Sequence, residues 1–238
     1  MGVSMYLKIF FRFNMLLGLL VLVGFGSCPG CYSKRAAVPE EKPPVYRIDK
    51  VVVVGFQAAM SEGAKAGVIR DPLSGGIYMA APVSSDAVLK MNEILFDNLV
   101  DSKMYQLVSP GQATGVYSRL VDSDPNMGVD TIRILQKVGK TFGCDAVLAG
   151  HIYRWQEREG TAIGVNRPAS VAFDLHLVRP KDGAIIWRTR FDKTQRSLSE
   201  NLLDAETFFQ SGGRWLTAEK LAILGLNKML KDMPGGKK

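Results

Sequence analysis

Histidine and cysteine are scarce in this chain: two of the first and three of the second among 238 residues. That scarcity narrows the chemistry. The sequence contains no G-x-S-x-G, no H-E-x-x-H, and no cysteine in a context that would pair it with a histidine. Neither His151 nor His176 has Cys, Asp or Glu at metal-ligand spacing, so both read as ordinary strand residues. Carboxylate pairs such as Glu157 and Glu159 fall on a charged strand end. From the residues alone, the expectation is no catalytic residue, no cofactor and no metal. A dense basic patch is also missing. The formal net charge is +7, but Arg154, Arg158, Arg167, Arg188, Arg190 and Arg196 are scattered without interleaved aromatics, which argues against a nucleic-acid partner.

A long apolar run is missing as well. Met15 to Phe25 is an unbroken apolar segment of eleven residues, and a span needs about 20. Lys8 and Arg12 precede it, and Gly26-Ser27-Cys28 follows. A charged start, a short apolar core and small residues make an export signal. Phe25-Gly26-Ser27-Cys28 resembles the lipobox of bacterial lipoproteins, which implies cleavage before Cys28 and acylation (palmitate) of that cysteine. Cys31, preceded by Gly30, is the alternative. Cys28-Pro29-Gly30-Cys31 is also a C-x-x-C. Tyr32 stands where haem attachment needs His, and the motif abuts a signal peptide rather than a βα unit. Cys144, at a helix–strand junction, reads as an inert core thiol.

Residues 28–46 mix Lys34, Arg35, Glu40, Glu41 and Lys42 with Pro39, Pro43 and Pro44, a linker composition. The expected layout is a signal peptide over 1–27, a lipidated linker over 28–46, one globular domain over 47–233, and a disordered tail over 234–238. A domain of that size can bury a sizeable core.

Within the domain, Val51 to Val54 and Ala146 to Ala149 are continuous apolar runs, the mark of strands buried on both faces. Val171, Phe173, Leu175 and Leu177 alternate with Ala172, Asp174 and His176, and a similar period returns from Ile185 to Phe191. Pro180-Lys181-Asp182-Gly183 separates them. A three-residue Lys181–Gly183 loop with Gly183 left-handed would pair Leu177 with Trp187 and Leu175 with Thr189. Trp187 is then expected against the core. The opposite face sets Asp174 across from Arg190 and His176 across from Arg188. Helices are expected after Ser84 or Ser85 (Val88, Met91, Leu95, Leu99 inward), over Gln112 to Leu120, after Asp130 (Ile132, Leu135, Val138, Phe142 inward), and from Thr217 to Lys231. Gly143 reads as a left-handed C-cap. The fold class is α/β (α+β): a mixed β-sheet with helices packed against it, a C-terminal β-hairpin and a terminal helix.

Asp145-Ala146-Val147-Leu148-Ala149-Gly150, followed by Asp182-Gly183-Ala184-Ile185-Ile186-Trp187, resembles a pattern of bacterial envelope lipoproteins. These are the curli-secretion lipoprotein, the penicillin-binding-protein activator lipoproteins and the N-terminal domain of the Tol-system propeller protein. The resemblance implies a non-catalytic domain that binds envelope proteins or self-associates. It would be held by acyl chains at the membrane, on the periplasmic face of the outer membrane. Pore formation is not expected, because no second hairpin long enough to cross a bilayer lies between Trp155 and Ala169. The alternative is an envelope hydrolase or cell-wall-acting enzyme with a site assembled from distant residues.

One segment stays unexplained by these patterns. Gln57 to Val83 has no helical period and reads as a long loop, of the kind that is often functional. Its Arg70, Leu73, Ile77, Tyr78 and Met79 form a candidate interaction surface.

Overall fold

The computed structural model describes residues 47–123, 130–196 and 214–235. The leader, Cys28, Cys31, the linker, the Asp124-Pro125-Asn126 turn and residues 197–213 lie outside the described residues. Nine strands and four helices are described. In chain order they are β1 (Lys50–Ala58), β2 (Gly67–Arg70), β3 (Ile77–Ala80), α1 (Ser85–Ser102), β4 (Gln106–Val108), α2 (Pro110–Ser123), α3 (Thr131–Phe142), β5 (Ala146–Gln156), β6 (Glu159–Gly160), β7 (Val165–Arg167), β8 (Ser170–Val178), β9 (Ile185–Thr194) and α4 (Ala218–Leu230).

Five strands form one sheet in the order β4-β1-β5-β8-β9. β1 runs parallel to both β4 and β5, whereas β5–β8 and β8–β9 are antiparallel. The sheet is therefore mixed, with helices on both faces. Val51 and Val53 of β1 pack with α1 and α4 on one face. Val52 and Val54 pack with α2 and α3 on the other. This two-sided burial explains why β1 and the start of β5 are apolar without alternation. Beyond Val54 the strand does not stop at Gly55, as the sequence pattern suggests. It continues to Ala58 through a bulge, with Gly55 at φ +85°. The Asn92 side chain of α1 fills the space where a Cβ would sit. Its Oδ1 accepts from the Phe56 N–H at 2.6 Å and its Nδ2 donates to the Phe56 carbonyl at 3.2 Å.

The helices begin and end where their caps direct. Ser84 accepts from the Ala87 N–H and Asp130 from the Arg133 N–H, while Gly143 closes α3 in the left-handed region. α1 buries Ala87, Met91, Leu95 and Leu99. Val88, expected inward, lies half-buried at the edge of that stripe. α3 buries Ile134, Leu135, Val138 and Gly139, turning Ile132 and Phe142 to partly covered positions. Asp145 joins the start of the two central strands, its Oδ2 accepting from the Asp49 and Lys50 N–H groups. Pro234 stays against the fold, its carbonyl accepting from the Tyr105 hydroxyl at 3.1 Å.

The β8–β9 pairing has the expected register: Leu177 opposite Trp187, Leu175 opposite Thr189, Asp174 opposite Arg190, and His176 opposite Arg188. The turn is different. The Arg179 N–H donates to the Ala184 carbonyl at 2.9 Å, leaving four loop residues, Pro180 to Gly183. A register shift between Leu177 and Val178 then restores the pairing. Gly183 is left-handed, at φ +77°. Trp187 packs against the core but is only partly covered. The described residues contain no helix long and apolar enough to cross a membrane.

The long segment after β1 holds a correction to the sequence reading. It contains an antiparallel hairpin, β2–β3, pairing Val68 with Met79 and Ile69 with Tyr78. Tyr78 and Ala80 face inward onto Tyr153 and Ala172, over the part of the sheet face that α2 and α3 leave bare.

Candidate functional site

The hairpin closes over polar side chains that face the same way from adjacent strands. Asp174 and His176 are alternate residues of β8 and so share a face. His151 lies opposite Asp174 on β5. Asp71, the residue after β2, is brought down onto them by the hairpin. The Asp71, Asp174 and His176 residues are 1% exposed, and the His151 side chain 12%. On β8, the face that alternation marks as solvated is covered, while Arg188 and Arg190 of β9 stay exposed. The Asp174–Arg190 and His176–Arg188 pairs therefore mark the border between a buried cluster and open water.

Every carboxylate oxygen in the cluster accepts at least one hydrogen bond. Asp71 Oδ1 accepts from the Tyr153 hydroxyl at 2.9 Å, and Asp71 Oδ2 from the Ser74 N–H and hydroxyl, both at 2.5 Å. Asp174 Oδ1 accepts from the His151 N–H at 3.0 Å. Asp174 Oδ2 faces the Tyr153 hydroxyl at 2.8 Å and the Tyr78 hydroxyl at 3.1 Å. Tyr153 has one proton for two carboxylates, so it binds one at a time. The two tyrosine rings stack, with centroids 3.6 Å apart, and the Arg190 guanidinium lies 4.4 Å from the Tyr78 centroid.

The imidazoles lie among these acids. His151 Nδ1 is 3.4 Å from Asp71 Oδ1 and 3.9 Å from Asp174 Oδ1. His176 Nε2 is 3.5 Å from Asp71 Oδ2, and its Nδ1 is 3.7 Å from Asp174 Oδ1. Both Nδ1 atoms are buried without a hydrogen-bond partner. Burial works against charge on Asp71, but the His151 ring, Ser74 and the nearby His176 hold its carboxyl well below the usual range. Burial pushes Asp174 up, with His176 opposing. Burial pulls His176 down against the attraction of both carboxylates. Burial and the adjacent Asp174 push both tyrosine hydroxyls up, so they remain proton donors. One donor atom each from Asp71, His151 and Asp174 falls within 4.8 Å of the others, close enough to share a cation.

Beside the cluster is a cleft of about 340 Å³, lined by Ser74, Tyr78, Asp174, His176, Arg188 and Arg190 among others. It joins basic and acidic groups in one concavity.

The sequence-predicted surface divides in two. Tyr78 and Leu73 are buried, whereas Arg70, Ile77 and Met79 are exposed. The histidines, read as bland from their spacing, are brought to Asp71 and Asp174. The Asp174-x-His176 spacing on a strand was the available signal, because it sets both side chains on one face. Asp71 carried no such signal, since only the hairpin delivers it. Cys144, partly buried, has its thiol pushed up by burial, consistent with an unreactive core group.

No family model and no curated protein matches the chain. Solved structures similar to it include the PelC dodecamer from Paraburkholderia phytofirmans, at TM-score 0.45 and 14% identity over 83% of this chain and 96% of that one. Lipoprotein GNA1162 from Neisseria meningitidis is similar at TM-score 0.39 and 14% identity, over 69% and 98%. The LpoB C-terminal domain from Escherichia coli is similar at TM-score 0.35 and 17% identity, over 63% and 86%. These are similarities in chain path, and the chemistry is read from this chain's own residues.

Proposed function

We propose that the protein is a lipid-anchored, non-catalytic interaction or assembly factor of the bacterial cell envelope. The observation that carries this reading is the outer face of the β2–β3 hairpin. Val68, Ile77 and Met79 are 67%, 58% and 62% exposed on it. Val68 and Met79 are direct cross-strand partners, and Ile77 lies two residues along from Met79 on the same face. The inner face is anchored: the Ala81 N–H donates to the Tyr153 carbonyl at 2.8 Å, and Arg154 Nη1 donates to the Met79 carbonyl at 2.9 Å. A fixed strand pair showing an apolar outer face suits contact with an envelope protein or a second copy of the chain.

The leader and Phe25-Gly26-Ser27-Cys28 support anchoring through acylated Cys28, with Cys31 as the alternative. Two or more acyl chains hold a protein stably where one does not. The proposed layout remains signal 1–27, linker 28–46 and domain 47–233, with the periplasmic face of the outer membrane as its location.

The test combines crosslinking in intact envelopes with two sets of substitutions. Val68→Ser, Ile77→Ser and Met79→Ser together should leave the fold and membrane attachment unchanged and remove the crosslinks. Cys28→Ala should release the protein and end fatty-acid incorporation. Crosslinks that persist in the triple variant would place the contact elsewhere. Incorporation lost only in Cys31→Ala would move the anchor.

The alternative, an envelope hydrolase, is favoured by one observation, the polar cleft beside Asp174 and His176. Against it, Asp71 and Asp174 are 1% exposed and hydrogen-bonded within the protein, which keeps them from reaching a substrate as a general base must.

A further inference from the structure

We infer that Asp71, His151 and Asp174 form a binding site for a divalent first-row transition metal ion, Zn²⁺ in the first instance, that fastens the β2–β3 hairpin to the sheet. It stands apart from the contact surface proposed above, which uses the hairpin's opposite face.

The first observation is convergence. Asp71, His151 and Asp174 come from the hairpin, β5 and β8, separated by 80 and 23 residues along the chain, yet one ligand atom of each lies within 4.8 Å of the others. Donors around a tetrahedral zinc sit at about 2.0–2.2 Å from it, hence roughly 3.3 Å from one another. The His151–Asp71 separation of 3.4 Å matches that edge, the His151–Asp174 separation of 3.9 Å needs a contraction of about 0.6 Å, and the Asp71–Asp174 pair closes in from within 4.8 Å.

The second observation is independent and concerns unmet bonding. His176 is almost wholly buried, and its Nδ1 has no hydrogen-bond partner though it lies 3.7 Å from Asp174 Oδ1. The Nδ1 of His151 is buried and unpartnered too. Asp71 Oδ1 and Asp174 Oδ1 each accept a single hydrogen bond, leaving each a second lone pair. Carboxylate and imidazole lone-pair atoms from three separate elements thus gather at one point, and a cation can bridge them.

The donor chemistry selects the ion. Imidazole nitrogen with carboxylate oxygen suits zinc and its neighbours, whereas calcium and magnesium favour all-oxygen sets. The outer groups fit as well. Ser74 holds the second oxygen of Asp71, Tyr78 and Tyr153 reach the second oxygen of Asp174, and His176 lies between the two acids, as groups that orient ligands do.

The test uses the full chain purified in detergent, stripped with a chelator and titrated with Co²⁺ as a visible probe. The expected result is one Co²⁺ per chain with ligand-field absorption, displaced by Zn²⁺. His151→Gln and Asp71→Asn should each weaken binding at least about tenfold, while the surface change Glu159→Gln should not. A second readout needs no variant: in the wild-type protein, Zn²⁺ should block carbethoxylation of His151, followed by mass spectrometry. If no Co²⁺ spectrum develops and Zn²⁺ gives His151 no protection, the cluster is a closed His–Asp network and the inference is overturned. Equal uptake by wild type and both ligand variants also overturns it.

Discussion

Replacing Tyr153 with Phe removes one oxygen atom from the centre of the buried cluster and little else. The ring is fully buried and stacked on Tyr78, so the substitution leaves no cavity of consequence. What is lost is a hydrogen bond to a carboxylate. Two contacts are visible, at 2.9 Å to Asp71 and 2.8 Å to Asp174, but a single proton serves them. The loss should therefore be counted once, at about 1.5–3 kcal/mol for a hydrogen bond to a charged group. Neither acid is left bare, since Ser74 still serves Asp71, and Tyr78 and the His151 N–H still serve Asp174. For a domain this size, each kcal/mol moves the midpoint by roughly 2–4 °C, so thermal unfolding in chelator should shift down by roughly 3–12 °C. A double-mutant cycle with Asp174→Asn should show coupling between the two sites. A midpoint unchanged within error would refute the placement of the Tyr153 proton.

Two other predictions concern the rest of the domain. Gly225→Ala puts a methyl 2.6 Å from the Phe191 ring. Overpacking of about 1–3 kcal/mol should exceed the roughly 1 kcal/mol of helix propensity gained, so denaturant melts should show destabilisation that Phe191→Leu partly relieves. A stabilised Gly225→Ala would contradict the close helix–sheet approach. In the β8–β9 turn, the Arg179 guanidinium and the Ala184 N–H hold the Asp182 carboxyl down at about 2, below its usual 3.8. Its contribution to stability is thus complete above about 3.8 and lost as pH falls through about 2. A side-chain carboxyl NMR titration should show the low midpoint, and Arg179→Gln should raise it; identical midpoints would remove the pair's role.

The parts of the fold legible in sequence were those with a strong period or a cap. The β8–β9 register followed from matching two alternating runs, and the turn's extra residue was absorbed by a shift that no residue type announces. Ser84, Asp130 and Gly143 marked helix ends because their side chains or backbone freedom meet the needs of those positions. The β2–β3 hairpin was illegible for a physical reason. Its strands have four residues each, and Ile77-Tyr78-Met79-Ala80 is apolar on both faces, so nothing alternates. The site was lost with it. Asp174 and His176 read as a solvent face until something was known to lie over them, and Asp71 belongs to the part that covers them.

The central position of β1 has a consequence for the order in which the chain can fold. Val51 is flanked by Leu107 on one side and by Ala146 on the other. A chain made from its N-terminus therefore presents Val51 to Val54 long before either neighbour exists, and α1 alone can shelter them. The strand completing the second side arrives some 95 residues later, and parallel pairing over such a separation is slow because the loop must close before the contacts stabilise it. β4 can close one edge once it is made, but until β5 emerges the most apolar stretch of the domain keeps its other edge open, the form in which newly made chains most readily pair with one another.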